Sequence, residues 1–183
     1  MLENKLGITD STELARAEEK ISKQKAIEMF ENGFLEKLES GTYESLAAIH
    51  KYLFDGIYDF AGKLRKVNLS KGSFRFASLM YLEAALQSID KMPQSTFDEI
   101  IEKYVEMNVA HPFREGNGRV GRLIMFKECL KYNIVPFIIE DNLKLFYYRG
   151  LKEWDNEKGY LTDTCLTAQD KYKAYLDYFR IVY

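Results

Sequence analysis

Between His111 and Arg122 the chain reads HPFREGNGRVGR, and this segment holds most of the residue types that could do chemistry together. It contains one of the two histidines, a carboxylate, an asparagine between two glycines, and three arginines. A glycine-rich loop that feeds a helix start is an anion site. Its backbone N–H groups point outward and the helix dipole favours negative charge there. Gly116 and Gly118 let the backbone approach a phosphate closely. Arg119 and Arg122 stand three apart on the first turn, and a guanidinium fork suits phosphate oxygens. Glu115 is an unexpected neighbour for a phosphate unless a cation lies between them, and Mg²⁺ takes one or two carboxylates and completes its shell with water and phosphate. His111, just ahead of the loop, has a side chain that can take a proton from a hydroxyl at neutral pH. The set describes a Mg-nucleotide site with a base beside it.

Helices must position these residues. Phe97, Ile101, Tyr104 and Val105 mark one apolar face ahead of the loop. Val120, Leu123, Ile124, Phe126, Cys129 and Leu130 mark another after it, with Pro112 and the Gly-Asn-Gly triplet as the break. Upstream, Asp10 and Glu13 have capping-box spacing and open a helix to about Phe30. Thr42 caps a second helix, with Leu46, Ile49, Leu53, Ile57 and Phe60 on one stripe. Leu79, Leu82, Leu86 and Ile89 mark a third that ends before Pro93. Thr96 and Glu99 start the helix leading to His111. A final helix carries Leu161, Cys165, Ala168, Tyr172, Tyr175 and Phe179. One stretch departs from helical periodicity: Val67–Ala77 alternates, with Lys71-Gly72 as a turn signal, and predicts a short β-hairpin. The fold class expected is all-α, a helical bundle with one short hairpin near residues 66–77.

The segment HPFREGNGRVGR resembles the signature HxFx(D/E)GNGRxxR of the Fic (Fic/Doc) family at every specified position, and the likeness extends from about Thr42 to Phe146. The resemblance implies a single Fic domain over 1–183, with its core at about 42–146. It implies a protein adenylyltransferase that moves AMP from Mg-ATP (or Mn-ATP) to a Ser, Thr or Tyr hydroxyl of a target protein. In that reading His111 is the general base and Glu115 the metal ligand. Asn108, Phe113, Gly116, Asn117, Gly118, Arg119 and Arg122 form the nucleotide and phosphate site, with Phe113 an apolar anchor for the loop. The hairpin is then a flap. Ser70, Lys71, Gly72, Ser73, Phe74 and Arg75 contact target and ATP, and the target segment pairs along the hairpin as an added strand. The alternatives are an inactive peptide-binding module on the same fold, a related phosphotransferase, or a de-AMPylase. The Doc-like branch that transfers the γ-phosphate has lysine where Gly118 stands, which argues for AMP transfer here.

Some relatives silence this site with a helix bearing (S/T)xxxE(G/N). Thr9–Glu13, Ser40–Glu44 and Ser95–Glu99 have its spacing, but Leu14, Ser45 and Ile100 follow, so none matches. The favoured reading places the inhibitory helix on a separate antitoxin protein; the other is a degenerate or absent motif. His50, near its helix's apolar stripe, is expected to be structural. Arg114 is expected to face solvent or target, and Trp154 to be core.

Bulk properties set limits. With 183 residues, 46% hydrophobic and 30% charged, the chain has the composition of a globular domain with a sizeable core. A net charge of −2 gives no support for a nucleic-acid binder. Cys129 and Cys165 sit in apolar helical patterns and read as buried thiols, which suits a reducing compartment. No apolar run approaches the roughly 20 residues that span a bilayer, and MLENKLGITD lacks a signal-peptide pattern. A bacterial cytosolic location and no membrane partner are expected, with delivery into another cell left open.

Overall fold

The structure is a computed structural model that describes residues 2–71 and 74–183, with Lys71 and Phe74 described by their backbone alone. Among the described residues it is helical apart from one hairpin, in the order α1 (Ser11–Glu31), α2 (Tyr43–Phe54), β1 (Ser70–Lys71), β2 (Phe74–Arg75), α3 (Leu79–Asp90), α4 (Phe97–Ala110), α5 (Asn117–Lys131), α6 (Lys144–Lys152) and α7 (Gly159–Tyr178). None of these helices is long and apolar enough to cross a membrane.

The helix starts follow local chemistry. The Asp10 carboxylate accepts the Glu13 amide at 2.8 Å, and the Thr42 hydroxyl accepts that of Ser45 at 3.2 Å. At α4 the capping box is complete: Thr96 Oγ1 accepts the Glu99 amide at 3.3 Å, while Glu99 Oε2 accepts the amides of Ser95 and Thr96 at 2.8 and 3.1 Å.

The chain divides into two compact units, 1–92 with 106–124, and 93–105 with 125–183. The first holds α1, α2, the hairpin, α3, the end of α4 and the start of α5. Its main core joins Leu46, Ile49, Leu53 and Phe54 of α2 to Phe113, Val120 and Ile124. A smaller cluster joins Leu82, Leu86 and Ile89 of α3 to Ala110. Helix α2 ends at Phe54, earlier than its stripe predicts, yet Ile57 is still fully buried because the following turn folds it onto the same core.

The second unit packs α6 on α7 around Ile101, Tyr104, Cys129, Tyr147, Leu161 and Cys165. The helices meet at Gly150, where a Cβ would lie 2.6 Å from the Leu161 Cα. The α7 stripe is buried at Leu161, Cys165 and Ala168 but emerges at Tyr175 and Phe179, which are exposed. Helical spacing fixes which residues share a face, and this unit's core supplies a partner for the first half of that face only.

The hairpin is shorter than its alternation predicts. Its strands pair antiparallel with Ser70 opposite Arg75 and Lys71 opposite Phe74, and the Phe76 amide adds a bond to the Leu69 carbonyl at 3.2 Å. Beyond that rung the Val67 and Ala77 carbonyls turn to the Arg65 guanidinium instead of to each other's strand. The expected turn residues Gly72 and Ser73 lie outside the described residues.

Candidate active site

The site is built where α4 ends and α5 begins, within the first unit. Helix α4 stops at Ala110, and His111 follows with φ of +50°, a left-handed conformation that an L side chain adopts rarely. Its Nδ1 lies 3.2 Å from the Asn108 carbonyl. A carbonyl only accepts, so Nδ1 carries the proton and Nε2 is the basic nitrogen of the neutral ring. Asn108, expected from the family resemblance at the nucleotide site, acts through its backbone carbonyl on the tautomer of His111. The Phe76 ring, just past β2, stacks on the imidazole with centroids 3.7 Å apart and planes at 19°.

The loop 112–116 is held from inside. Phe113 is fully buried, with its ring 4.0 Å from that of His50 and 6.1 Å from that of Tyr43. Its side chain therefore belongs to the core and anchors the loop from inside. The Asn117 side chain staples the same loop, donating to the Phe113 carbonyl at 2.8 Å and accepting the Phe113 amide at 2.9 Å. What Asn117 and Gly118 offer an anion is their backbone N–H groups, which as the first residues of α5 have no acceptor within the helix. Gly116 has φ of +78°, and a Cβ there would lie 2.5 Å from the Phe54 ring. No other residue fits that turn.

His50 supports the loop from α2. Its Nδ1 accepts the Gly62 amide at 2.9 Å, so its Nε2 must carry the proton and donate to the Glu115 carbonyl, also at 2.9 Å. Burial pushes its pKa down to about 4, against the pull of the Glu115 carbonyl and with help from the positive charge of Arg119. It is a neutral structural histidine, as its apolar surroundings suggest.

The two motif arginines part company. Arg119 donates to Glu18 on α1 and, through Nη1, to the Ser22 hydroxyl at 3.1 Å, and its guanidinium lies 5.1 Å from the Phe54 ring centroid. Glu18 is buried and also accepts the Tyr58 hydroxyl. Burial, then the Glu18 contact, raise the Tyr58 pKa, so the phenol keeps its proton. Positive charge is unfavourable at a helix start unless an anion offsets it, and for Arg119 that anion is Glu18 of the same chain. Arg122 is half-buried, makes no ion pair among the described residues, and places Nη1 3.4 Å from where a Gly118 Cβ would stand. It is the guanidinium open to a bound anion.

Glu115 is exposed, with Oε1 accepting the Gly116 amide at 3.0 Å. Among the described residues no group of three or more His, Cys, Asp or Glu could hold a metal. A single outward carboxylate fits a cation whose shell is mostly water and phosphate, the habit of Mg²⁺. Arg114 is exposed, 5.8 Å from the Phe60 ring. Of the expected flap contacts, Ser70 and Arg75 lie in the paired strands, Lys71 and Phe74 are placed by backbone only, and Gly72 and Ser73 are not described. Glu18, His50, Arg65 and Phe76 take part without having been marked for the site. The alternation at Phe76, the position of His50 on an apolar stripe and the basic set Lys63, Arg65, Lys66, Lys71 and Arg75 around the hairpin are their signs in the sequence. That basic set places Arg65 across from a triphosphate, whereas its guanidinium turns to backbone carbonyls.

The Fic/DOC family model matches residues 40–129. The chain is 30% identical over 134 residues to a probable protein adenylyltransferase Fic of Salmonella typhimurium, covering 67% of this chain and 64% of that protein. It is 30% identical over 144 residues to the probable protein adenylyltransferase y4lH of Sinorhizobium fredii, covering 72% of this chain and 71% of the relative. The chain thus spans just under two thirds of the Salmonella protein's length. Among solved structures, the BepC effector of Bartonella tribocorum with bound AMPPNP superposes with a TM-score of 0.73 at 19% identity, over 92% of this chain and 91% of that one.

Proposed function

Since the chain belongs to the Fic/DOC family, we propose that it is a protein adenylyltransferase, moving AMP from ATP to a Ser, Thr or Tyr hydroxyl of another protein. The observation that carries this reading is the His111 tautomer. Nδ1 is committed to the Asn108 carbonyl, so Nε2 is the nitrogen that takes the hydroxyl proton. The deprotonated oxygen attacks the α-phosphorus and pyrophosphate leaves. The N–H groups of Asn117 and Gly118 receive the phosphate oxygens at the start of α5, where donors fixed in advance stabilise developing charge without reorganisation. Arg122 orients the outer phosphates, while Arg119, held by Glu18, fixes the helix start that carries those donors. Glu115 would hold Mg²⁺ or Mn²⁺, which when bound neutralises phosphate charge. The hairpin edge offers main-chain groups to an extended target segment.

We assign no nucleic-acid or membrane partner. A separate antitoxin remains the proposed source of inhibition, and 1–183 is taken to act as one Fic domain. The test is incubation of the protein with a cell lysate, Mg²⁺ and ATP labelled at the α- or the γ-position. The expected result is protein-bound α-label that is lost in His111→Ala while ATP binding persists. Label from the γ-position alone would replace the reading with phosphate transfer.

A further inference from the structure

We propose that Arg65 is a positioning residue that sets the hairpin and the His111 imidazole in one register; its consequence for catalysis rests on the adenylyl-transfer reading. Arg65 is 4% exposed and pairs with no carboxylate among the described residues. Its donors go to backbone carbonyls. Nε donates to His111 at 2.8 Å, Nη2 to Ala110 at 3.2 Å and to Ala77, and Nη1 to Val67 at 2.8 Å. Its own amide donates to the Pro112 carbonyl at 2.9 Å.

These acceptors have a pattern. Ala110 is the last residue of α4 and His111 is the next, so their carbonyls belong to a helix end that has no intrahelical donors and carries the negative end of the dipole. That alone would make Arg65 a helix cap. Val67 and Ala77, however, flank the two hairpin strands, and Ala77 adjoins Phe76, whose ring lies on the imidazole. One rigid guanidinium therefore grips the histidine's own carbonyl and both feet of the hairpin. The Ala77 amide reinforces this by donating to the Val109 carbonyl on α4 at 3.1 Å. The left-handed backbone of His111 is held against its own preference, and the Arg65–His111 bond is one of the contacts that hold it, beside the His111 amide's bond to the Met107 carbonyl at 3.0 Å. A lysine has three donors on a mobile tetrahedral end and cannot span carbonyls in fixed planar directions.

The experiment compares wild type, Arg65→Lys, Arg65→Gln and, as a stability control, the α2 cap variant Thr42→Ala. Each is characterised by thermal melting, Mg-ATP binding, transfer of α-label, and the long-range ¹⁵N–¹H NMR pattern of the imidazoles, of which the chain has only two. In the Arg65 variants the Nδ1–H pattern of His111 is expected to give way to mixed tautomers. Transfer should fall about 30-fold, with ATP affinity changed less than about threefold. Thr42→Ala should melt lower with neither effect. The proposal is overturned if Arg65→Lys keeps the wild-type His111 pattern, or if Thr42→Ala loses transfer equally. If wild type transfers no label, the enzymatic reading fails, while the tautomer pattern still decides the positioning role. If neither Arg65 variant folds, amide exchange of wild type decides it. Ala77 and His111 amides opening together support the clamp, and protection differing by more than about tenfold refutes it.

Discussion

At the scale of single residues, the site depends on side chains whose hydrogen bonds fix their protonation. His50 is the clearest case. Its pKa lies at about 4 when folded and near 6.5 when unfolded, so between those values the unfolded chain binds the proton and the folded one does not. Its contribution to stability is therefore complete above pH 6.5 and is lost as the pH falls toward 4. The loss is on the order of 3 kcal/mol, from the size of the shift. Denaturant titrations at a series of pH values should show this slope in wild type and a flatter one in His50→Gln. Gly116→Ala is expected to cost about 2–4 kcal/mol, since it combines a positive φ with a clash against Phe54. Chemical denaturation would measure it. That His111, Glu115, Gly116 and Arg122 share one loop and helix start was legible because a dense motif keeps its members close in sequence. The partners that orient them were not. Arg65 reaches His111 across 46 residues and Glu18 reaches Arg119 across 101. Nothing in local periodicity marks such a pair.

At the scale of elements, short-range rules gave most of the architecture. The caps at Asp10, Thr42 and Thr96 start α1, α2 and α4 where a hydroxyl or carboxylate can receive an orphan amide. The elements that departed from expectation did so for tertiary reasons. The hairpin loses its outer rungs to Arg65, and the outer half of the α7 stripe finds no core. The link between α1 and the start of α5 is also tertiary, a buried Glu18 against a partly exposed Arg119. Removing one partner leaves the other's charge uncompensated, so Arg119→Ala should destabilise by about 2 kcal/mol or more. A double-mutant cycle with Glu18→Gln should recover part of that loss as coupling. Additive effects would mean that the pair contributes little to joining the two helices.

At the scale of the whole molecule, each of the two units carries its own core, and the candidate chemistry lies in the first. The second unit holds both thiols. Burial pushes Cys129 and Cys165 up to about 12, with the Glu128 carboxylate adding to the effect on Cys129. The thiolate is the reactive form. In the native protein both should resist a thiol reagent at neutral pH, and both should label at the rate at which this unit opens. Rapid labelling without unfolding would contradict their burial. In the proposed reaction His111, set in its tautomer by the end of α4, drives AMP transfer to a protein hydroxyl. Tandem mass spectrometry of lysate proteins, after reaction with ATP isotopically labelled in the adenine ring, tests it most directly. Labelled AMP should be found on a Ser, Thr or Tyr side chain with wild type and be absent with His111→Ala. Adducts that persist in that variant, or phosphate transferred without the labelled nucleoside, would contradict it.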